Sequence, residues 1–411
     1  MAVLVSRAVA LRQASDGGLL ECFAAIGDPR RKRGIRHTLP TILGLCTAAV
    51  LSGQVTLADI TAWIAGADQE LLAALGCRRG KSGRCAPPHP DTIERVLAAL
   101  GAQGLADQTG GYLRQKAGLD QVAFPISGPV PLPAIAVDGK AIRGAVGPDG
   151  QIPYLLAAAT HTDSAVIAER LIGPKTNEVP EFAPLLRGLE IAGCVITMDA
   201  AHTVRAHALF IVEELMAHYV MIVKENQKRL FDVLDALDWS CVPVTHRTEQ
   251  VGHGRREVRT IQVMDAPADL GFPHAAQVFL IERSTVRRVR KRAKKSKKYK
   301  TVLVETAVAV LGVTSLSARE AAPMHLATYV RGHWSIENKI HWVRDVTFRE
   351  DASQIKTGSR PRIMATLRNL AVGLIRQAGH NKIAATIRRI KHDPHLLYTL
   401  LGLHPSPGNA S

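Results

Sequence analysis

Residues 329–353 read YVRGHWSIENKIHWVRDVTFREDAS. Ile336, Ile340 and Val343 recur at i, i+4 and i+7, which predicts a helix with an apolar stripe. About 100° round that helix, His333, Glu337, His341 and Arg344 form a second stripe, also at helical spacing. A solvated helix face ordinarily alternates Lys with Glu. This one carries a single carboxylate among two imidazoles and a guanidinium, flanked by Trp334 and Trp342. Such a mixture suits a metal-binding carboxylate held against phosphates. It also fits an interfacial helix with a satisfied glutamate, and the helix alone does not separate the two readings.

The rest of the chain narrows the choice. Its 411 residues allow two or three domains. With 46% hydrophobic and 21% charged residues, it can bury a core and is not a disordered chain. A net charge of +16 points to a polyanionic partner, either nucleic acid or an anionic membrane. The longest apolar run, residues 39–51, falls short of the roughly 20 residues a membrane span needs, so it predicts a core helix. Arg7 and Arg12 interrupt the N-terminal MAVLVSRAVALRQ, which lacks the apolar stretch of a secretory signal. Six scattered cysteines read as reduced thiols of a cytoplasmic protein. Cys77, Cys85 and His89 lack a fourth ligand and a paired CxxC, which argues against zinc.

Taken in order, residues 15–120 read as helical, with a basic loop at Arg30, Arg31, Lys32, Arg33 and Arg36. GCRRGKS at residues 76–82 resembles a phosphate-binding loop, but it has three residues between its glycines where four are needed, and it follows a helix-like run. After a Pro-rich linker, residues 125–133, the character changes to strands. AIAVDGKAIRG is a short apolar strand that ends in Asp138, flanked by Lys140 and Arg143. CVITMDAAHT is a second buried strand, ending in Asp199. YVMIVKENQ is a third, ending in Lys224, Asn226 and Gln227. Residues 236–320 read as short strands. Within them, residues 283–300 hold eleven Lys or Arg and no acid, which predicts a solvated or phosphate-tracking loop.

Two strand-end carboxylates, Asp138 and Asp199, and a helical one, Glu337, make a chemically meaningful set. Brought together they repel one another unless cations lie between them. Oxygen donors in small number favour Mg²⁺ or Mn²⁺, and two such ions serve in-line displacement at phosphorus. On a chain this basic, the set points to a phosphodiester-cleaving site.

AVDGKAIRG, TNEVPEFAPLL, ITMDAAHT, YVMIVKENQ and RGHWSIENKIHWVRDVTFREDAS, in that order, resemble the DDE transposases of bacterial insertion sequences, in particular the group that includes the H-repeat-associated proteins. DPRRKRGIRHTLPTILGL and DTIERVL resemble that group's associated N-terminal domain. The resemblance implies an α/β fold with an RNase H-like catalytic core and a β-rich insertion, preceded by a helical N-terminal domain. The expected boundaries are residues 1–124 for the helical, DNA-binding N-terminal domain and 125–235 for the first part of the core. Residues 236–320 would be the insertion with its basic loop, 321–378 the second part of the core with the Glu helix, and 379–411 a helical tail. The resemblance also implies that Asp138, Asp199 and Glu337 are the catalytic, metal-binding acids, holding two ions of Mg²⁺ or Mn²⁺. It implies cutting at element ends and strand transfer into target DNA.

The relatives' wider signature has an Arg before the Glu and a Lys seven residues after it. This chain has His333 and Arg344 at those positions. The residues expected against DNA are Lys140, Arg143, Lys224, Asn226, Gln227, Arg331, His333, Trp334, Asn338, His341 and Arg344. The basic loop residues Arg30, Arg31, Arg33 and Arg36 are expected to read the terminal inverted repeats. Trp334 reads first as a core residue and second as a base-stacking one. The expected assembly is a homodimer on paired ends, in the bacterial cytoplasm at the nucleoid and away from membranes. The competing readings are a non-catalytic DNA-binding descendant and a zinc hydrolase built on His333, Glu337 and His341, which lacks the HExxH spacing.

Overall fold

Thr38 starts the helix that centres the N-terminal region. Its hydroxyl accepts from the Thr41 N–H, and Pro40 sits in the first turn where its missing N–H costs nothing. The helix that follows, Leu39–Leu51, is apolar on every side, and twelve of its thirteen residues are buried. A helix of that kind can only be a core element. Thr56 and Asp59 cap the next helix reciprocally.

The structure is a computed structural model. It describes residues 18–33, 35–119, 131–147, 150–173, 176–252, 254–292 and 299–403. Residues 1–13, most of the Pro-rich linker and residues 293–298 of the basic run lie outside the described residues. In chain order the helices are α1 (Leu19–Ala24), α2 (Leu39–Leu51), α3 (Leu57–Ala65), α4 (Gln69–Ala74), α5 (Pro90–Ala99) and α6 (Ala102–Lys116). Strands β1 (Ala134–Ala141), β2 (Tyr154–Thr160) and β3 (Val166–Ile172) lead to α7 (Glu178–Leu186). Next come β4 (Val195–Met198), α8 (Arg205–Leu209), β5 (His218–Val223) and α9 (Lys228–Asp235). Four longer strands follow: β6 (Val244–Gly252), β7 (Arg255–Asp265), β8 (Gln277–Arg292) and β9 (Tyr299–Thr314). The chain continues with α10 (Pro323–His333), α11 (Trp342–Val346), α12 (Arg360–Gln377), α13 (Ile383–Ile390) and α14 (Pro394–Leu401).

These elements form two compact units. One comprises Met1–Gln121, Asp138–Leu186 and Ser335–Ser411, and the other Val122–Val137 and Arg187–Trp334. In the first, α2, α6 and α12 share one apolar core with α13 and α14. The β2–β3 hairpin packs on α6. The second half of β1, from Asp138, belongs to this unit.

The second unit is a mixed sheet in the order β1, β4, β5, β9, β8, β7, β6. β1, β4 and β5 run parallel, with Val137 opposite Met198 and Met198 opposite Met221. Their residues in this unit are almost wholly buried, as parallel strands covered on both faces must be. β5 to β9 and the strands beyond are antiparallel.

Residues 283–292, expected as loop, are strand. β8 pairs with β9 without interruption from Gln277↔Thr314 to Arg292↔Tyr299. The β-branched Thr285, Val286 and Val289 favour extended backbone, and cross-strand pairing outweighs the like-charge signal. The strands of this region run to sixteen residues, longer than the short ones expected.

Candidate active site

The first unit brings two of the expected acids together. β1 delivers Asp138, whose Oδ1 accepts the Gly139 N–H at 2.9 Å. Glu337 opens a five-residue π turn, Glu337–His341, that continues into α11. Such wide turns recur at functional sites. Ile336, Ile340 and Val343 face inward, as their spacing predicts. The His341 Nδ1 lies 3.0 Å from Glu337 Oε2 and 3.6 Å from Asp138 Oδ2. One ligand atom from each of Asp138, Glu337 and His341 falls within 4.8 Å of the others, the one such group among the described residues.

The three differ in setting. The carboxylates are open to solvent, at 27% and 58% side-chain exposure, while the imidazole is 3% exposed. Burial pushes the His341 pKa down, outweighing the hydrogen bond it donates to Glu337. The Glu337 carboxyl is held below its usual range by that hydrogen bond and by the charges of His341, Lys140 and Arg143, against the effect of burial. His341 Nε2 is buried without a hydrogen-bond partner among the described residues. A metal-ligating imidazole ordinarily donates its second N–H to an acceptor. His341 has no acceptor there, so its proton belongs on Nδ1, donating to Glu337. The oxygens of Asp138 and Glu337 fit a hard divalent cation. His341, expected from sequence to meet DNA, instead fits the role of aiming Glu337.

A buried charge network fixes the backbone behind these groups. Glu350 is fully buried and accepts from Arg344 at 2.6–3.1 Å and from Arg368 at 3.0 Å. Burial pushes the Glu350 carboxyl up, but the two guanidiniums outweigh it and hold it below the usual carboxylate range. Arg344, expected at the DNA, is 1% exposed and spent on this pair. Lys140 is likewise occupied, its Nζ 2.7 Å from Asp345 Oδ2. Arg143 remains 72% exposed. Beside it, Gly144 abuts the backbone of Glu350 and Ser353 so closely that a Cβ would overlap the Glu350 carbonyl. Neither Glu350 nor Arg368 stood out in sequence. Glu350 sits inside the quoted FREDAS, but its two partners are six and eighteen residues away.

The second unit holds Asp199. It caps the short turn Ala200–His202, its side chain accepting the Ala201 N–H at 2.9 Å. The Thr203 hydroxyl donates to the Ile222 carbonyl at 2.6 Å, and the Asn226 amide donates to the Ala200 carbonyl at 2.7 Å. Asn226 thus fastens the Asp199 turn to the end of β5, while Lys224 is exposed. His333 is buried and neutral near pH 7. Burial drives its pKa to about 4, against the pull of Asp199, and its Nδ1 lies 3.4 Å from the Thr197 hydroxyl. This ring is an internal group and does not present itself to DNA. Trp334, read first as core, is 60% exposed and edge-on to His333. Arg331 is exposed and donates to Gln250 at 2.7 Å.

In the N-terminal helices, Arg31, Arg33 and Arg36 line a groove of about 1090 Å³ with Arg79, Lys81 and Arg95. Arg30 lines it too, but its guanidinium is held by Asp28 and the His37 carbonyl. GCRRGKS follows α4 and forms a turn closed by an Arg79–Cys85 bridge, with neither the strand nor the helix of a phosphate-binding loop.

Residues 131–374 match the family model of the transposase DDE domain, and residues 20–112 match the DDE_Tnp_1-associated model. The chain belongs to the DDE transposases. The "Putative transposase YncI" of Escherichia coli O157:H7 is 25% identical over 368 residues, 87% of either chain. The "H repeat-associated putative transposase YhhI" of Escherichia coli K12 is 26% identical over 373 residues, 87% of this chain and 90% of that one. "Putative protein YbfL" of the same strain matches to the same extent. A chain of the piggyBac transposase synaptic complex with hairpin DNA aligns at TM-score 0.40 and 12% identity, covering 93% of this chain and 76% of that one, too loosely to define the fold.

Replacing Glu350 by Gln leaves two buried guanidiniums without their anion, which costs about 3–5 kcal/mol. Urea unfolding at pH 7 measures that loss. Because the folded carboxyl titrates below its unfolded value, its contribution is present above about pH 4 and lost as pH falls through the folded pKa. The difference between wild type and variant therefore narrows in acid. An equal difference at all pH values contradicts the assignment.

Proposed function

We propose that this chain is an insertion-sequence transposase that cuts phosphodiester bonds at element ends and transfers the freed strand into target DNA. The observation that carries the reading is the meeting of the Asp138 and Glu337 carboxylates, distant in sequence, on one solvent-open patch. The register of the parallel strands supports Asp199 as the third acid. Pairing runs to Val137↔Met198, and the next residue on each strand is an aspartate. In open α/β sheets, ligands bind beyond the carboxyl ends of the strands; Asp199 directly follows β4, and Asp138 is the first residue of β1 past its pairing with β4. On this reading residues 125–235 and 321–378 are the two parts of an RNase H-like core, 236–320 its β-rich insertion, 1–124 the DNA-reading N-terminal domain and 379–411 the tail.

Asp138, Asp199 and Glu337 supply the oxygen donors for two divalent ions, Mg²⁺ or Mn²⁺. Such ions, when bound, activate the attacking hydroxyl or water and stabilise the leaving oxygen. His341 holds the Glu337 carboxylate in its ionised form and in one rotamer. Lys140, paired to Asp345, steadies the loop after Asp138. The exposed cations Arg143, Lys224 and Arg331 take phosphates, with Asn338 and Gln227 beside them, and exposed Trp334 stacks on a base. Arg31, Arg33 and Arg36 contact the terminal inverted repeats. Lys140, His333, His341, Arg344, Asn226 and Arg30 serve by positioning these groups. The working assembly is a homodimer on paired ends, acting at the bacterial nucleoid in the cytoplasm.

Two measurements test this. In a Mg²⁺-dependent cleavage assay on DNA bearing the element's ends, Asp199→Asn abolishes cutting while DNA binding persists. His341→Ala weakens the metal dependence by about 10–100-fold, the effect of losing a group that orients a ligand. Cutting by Asp199→Asn at the wild-type rate would falsify the triad. Separately, the triple variant Arg31→Gln, Arg33→Gln and Arg36→Gln binds end DNA more weakly. Its plot of log affinity against log salt is flatter by about 0.9 per lost phosphate contact. An unchanged slope removes the N-terminal groove from the DNA path.

A further inference from the structure

Residues 244–314 carry fifteen Lys or Arg against six Asp or Glu, more than half of the chain's net positive charge. The register shows how part of that charge is arranged. Side chains alternate between the faces of a sheet. On one face of β6–β9, Arg255 stands opposite Arg287 and Arg259 opposite Arg283, with Glu257 between the two rows opposite Thr285. Arg331, in the last turn of α10, reaches the same face by its bond to Gln250, which pairs with Glu257. Five guanidiniums therefore surround one carboxylate. Glu257 is buried and holds Arg259 at 2.7 Å and Arg255 at 3.7 Å, while Arg283 and Arg287 point to solvent.

Like charges placed directly opposite destabilise a sheet, so the arrangement does not serve the fold. The same face is apolar toward the other end, where Ile261, Phe279 and Ile281 pack with Leu326 and Tyr329 of α10. The helix covers that half and ends where the arginines begin. The opposite face is balanced at this level: Arg247 and Arg256 both pair with Glu249, at 3.2 and 2.6 Å, and Glu305 stands across from Val286.

We infer that this arginine face of the insertion sheet is a phosphate-binding platform for duplex DNA, distinct from both the acidic site and the N-terminal groove. Glu257 organises it by fixing Arg259 and Arg255, leaving Arg283, Arg287 and Arg331 to reach outward. The two rows are four residues apart along extended strands, about 13 Å, close to the roughly 12 Å width of the major groove. Each row can meet the phosphates of one strand bordering that groove. The contacts are to backbone, so they carry no sequence preference. The inference rests on the transposase reading for its ligand, but its test does not depend on cleavage.

The test uses the full chain, a 30-base-pair duplex of arbitrary sequence and EDTA throughout. Fluorescence anisotropy over a KCl series gives the salt dependence of binding. For Arg283→Gln with Arg287→Gln, the slope of log affinity against log salt becomes shallower by about two, and the thermal midpoint stays level or rises as like-charge pairs are relieved. The control pair Arg247→Gln with Arg256→Gln, on the opposite face, leaves the slope unchanged. An unaltered slope in the first pair, an equal change in the control, or a lowered midpoint in the first pair each overturns the inference. Should Asp199→Asn still cut DNA while the slope shifts as stated, the platform stands and the catalytic triad falls.

Discussion

The buried carboxylate of Glu350 is the constraint on which the candidate site depends. It takes hydrogen bonds from Arg344 on α11 and Arg368 on α12. Through Arg344 it fixes the helix that follows the Glu337–His341 turn. Through the close approach of Gly144 to its own backbone it fixes the segment leaving β1. Asp138 and Glu337 thus stand on two pieces of chain clamped to one internal anion. A buried ion pair is a poor source of net stability, since desolvation offsets most of the attraction. Its value here is geometric: removing one partner is costly, so the backbone has few alternatives.

Within each unit, functional groups sort by exposure. The internal ones, Arg344, His333, His341 and Lys140, are bound to partners within their own unit. The open ones, Arg143, Lys224, Arg331 and Trp334, lie at the surface. A chain that must hold acids against a polyanion needs both kinds. On the proposed reading, the internal groups keep the carboxylates from swinging away, and the outer cations offset repulsion between carboxylates and phosphates.

Much of this was legible in the sequence. Apolar runs ending in acid marked β1 and β4, and helical spacing marked Ile336, Ile340 and Val343 as inward-facing. What periodicity could not reveal was which polar residues turn inward. Arg344 and His341 share a stripe with Glu337, and helical spacing alone does not reveal that the arginine is buried against Glu350, six residues on, with Arg368 completing the pair, or that the imidazole turns inward beside Glu337 and Asp138. Trp334 misled in the opposite sense, because a large aromatic beside a core stripe reads as core. The strand at residues 283–292 was masked by its own charge. Its pairing with β9 is a long-range fact, and the β-branched Thr285, Val286 and Val289 were the available signal.

On the proposed reading, three carboxylates share one pair of divalent ions. Replacing Mg²⁺ by Fe²⁺ and generating hydroxyl radicals at the bound iron cuts the polypeptide beside its ligands, and mapping the fragments tests this directly. Cuts should cluster at Asp138, Asp199 and Glu337 together, and Asp138→Asn should remove all three. Cutting near Asp138 and Glu337 alone, or cutting near Asp199 that survives in Asp138→Asn, would contradict a common metal site.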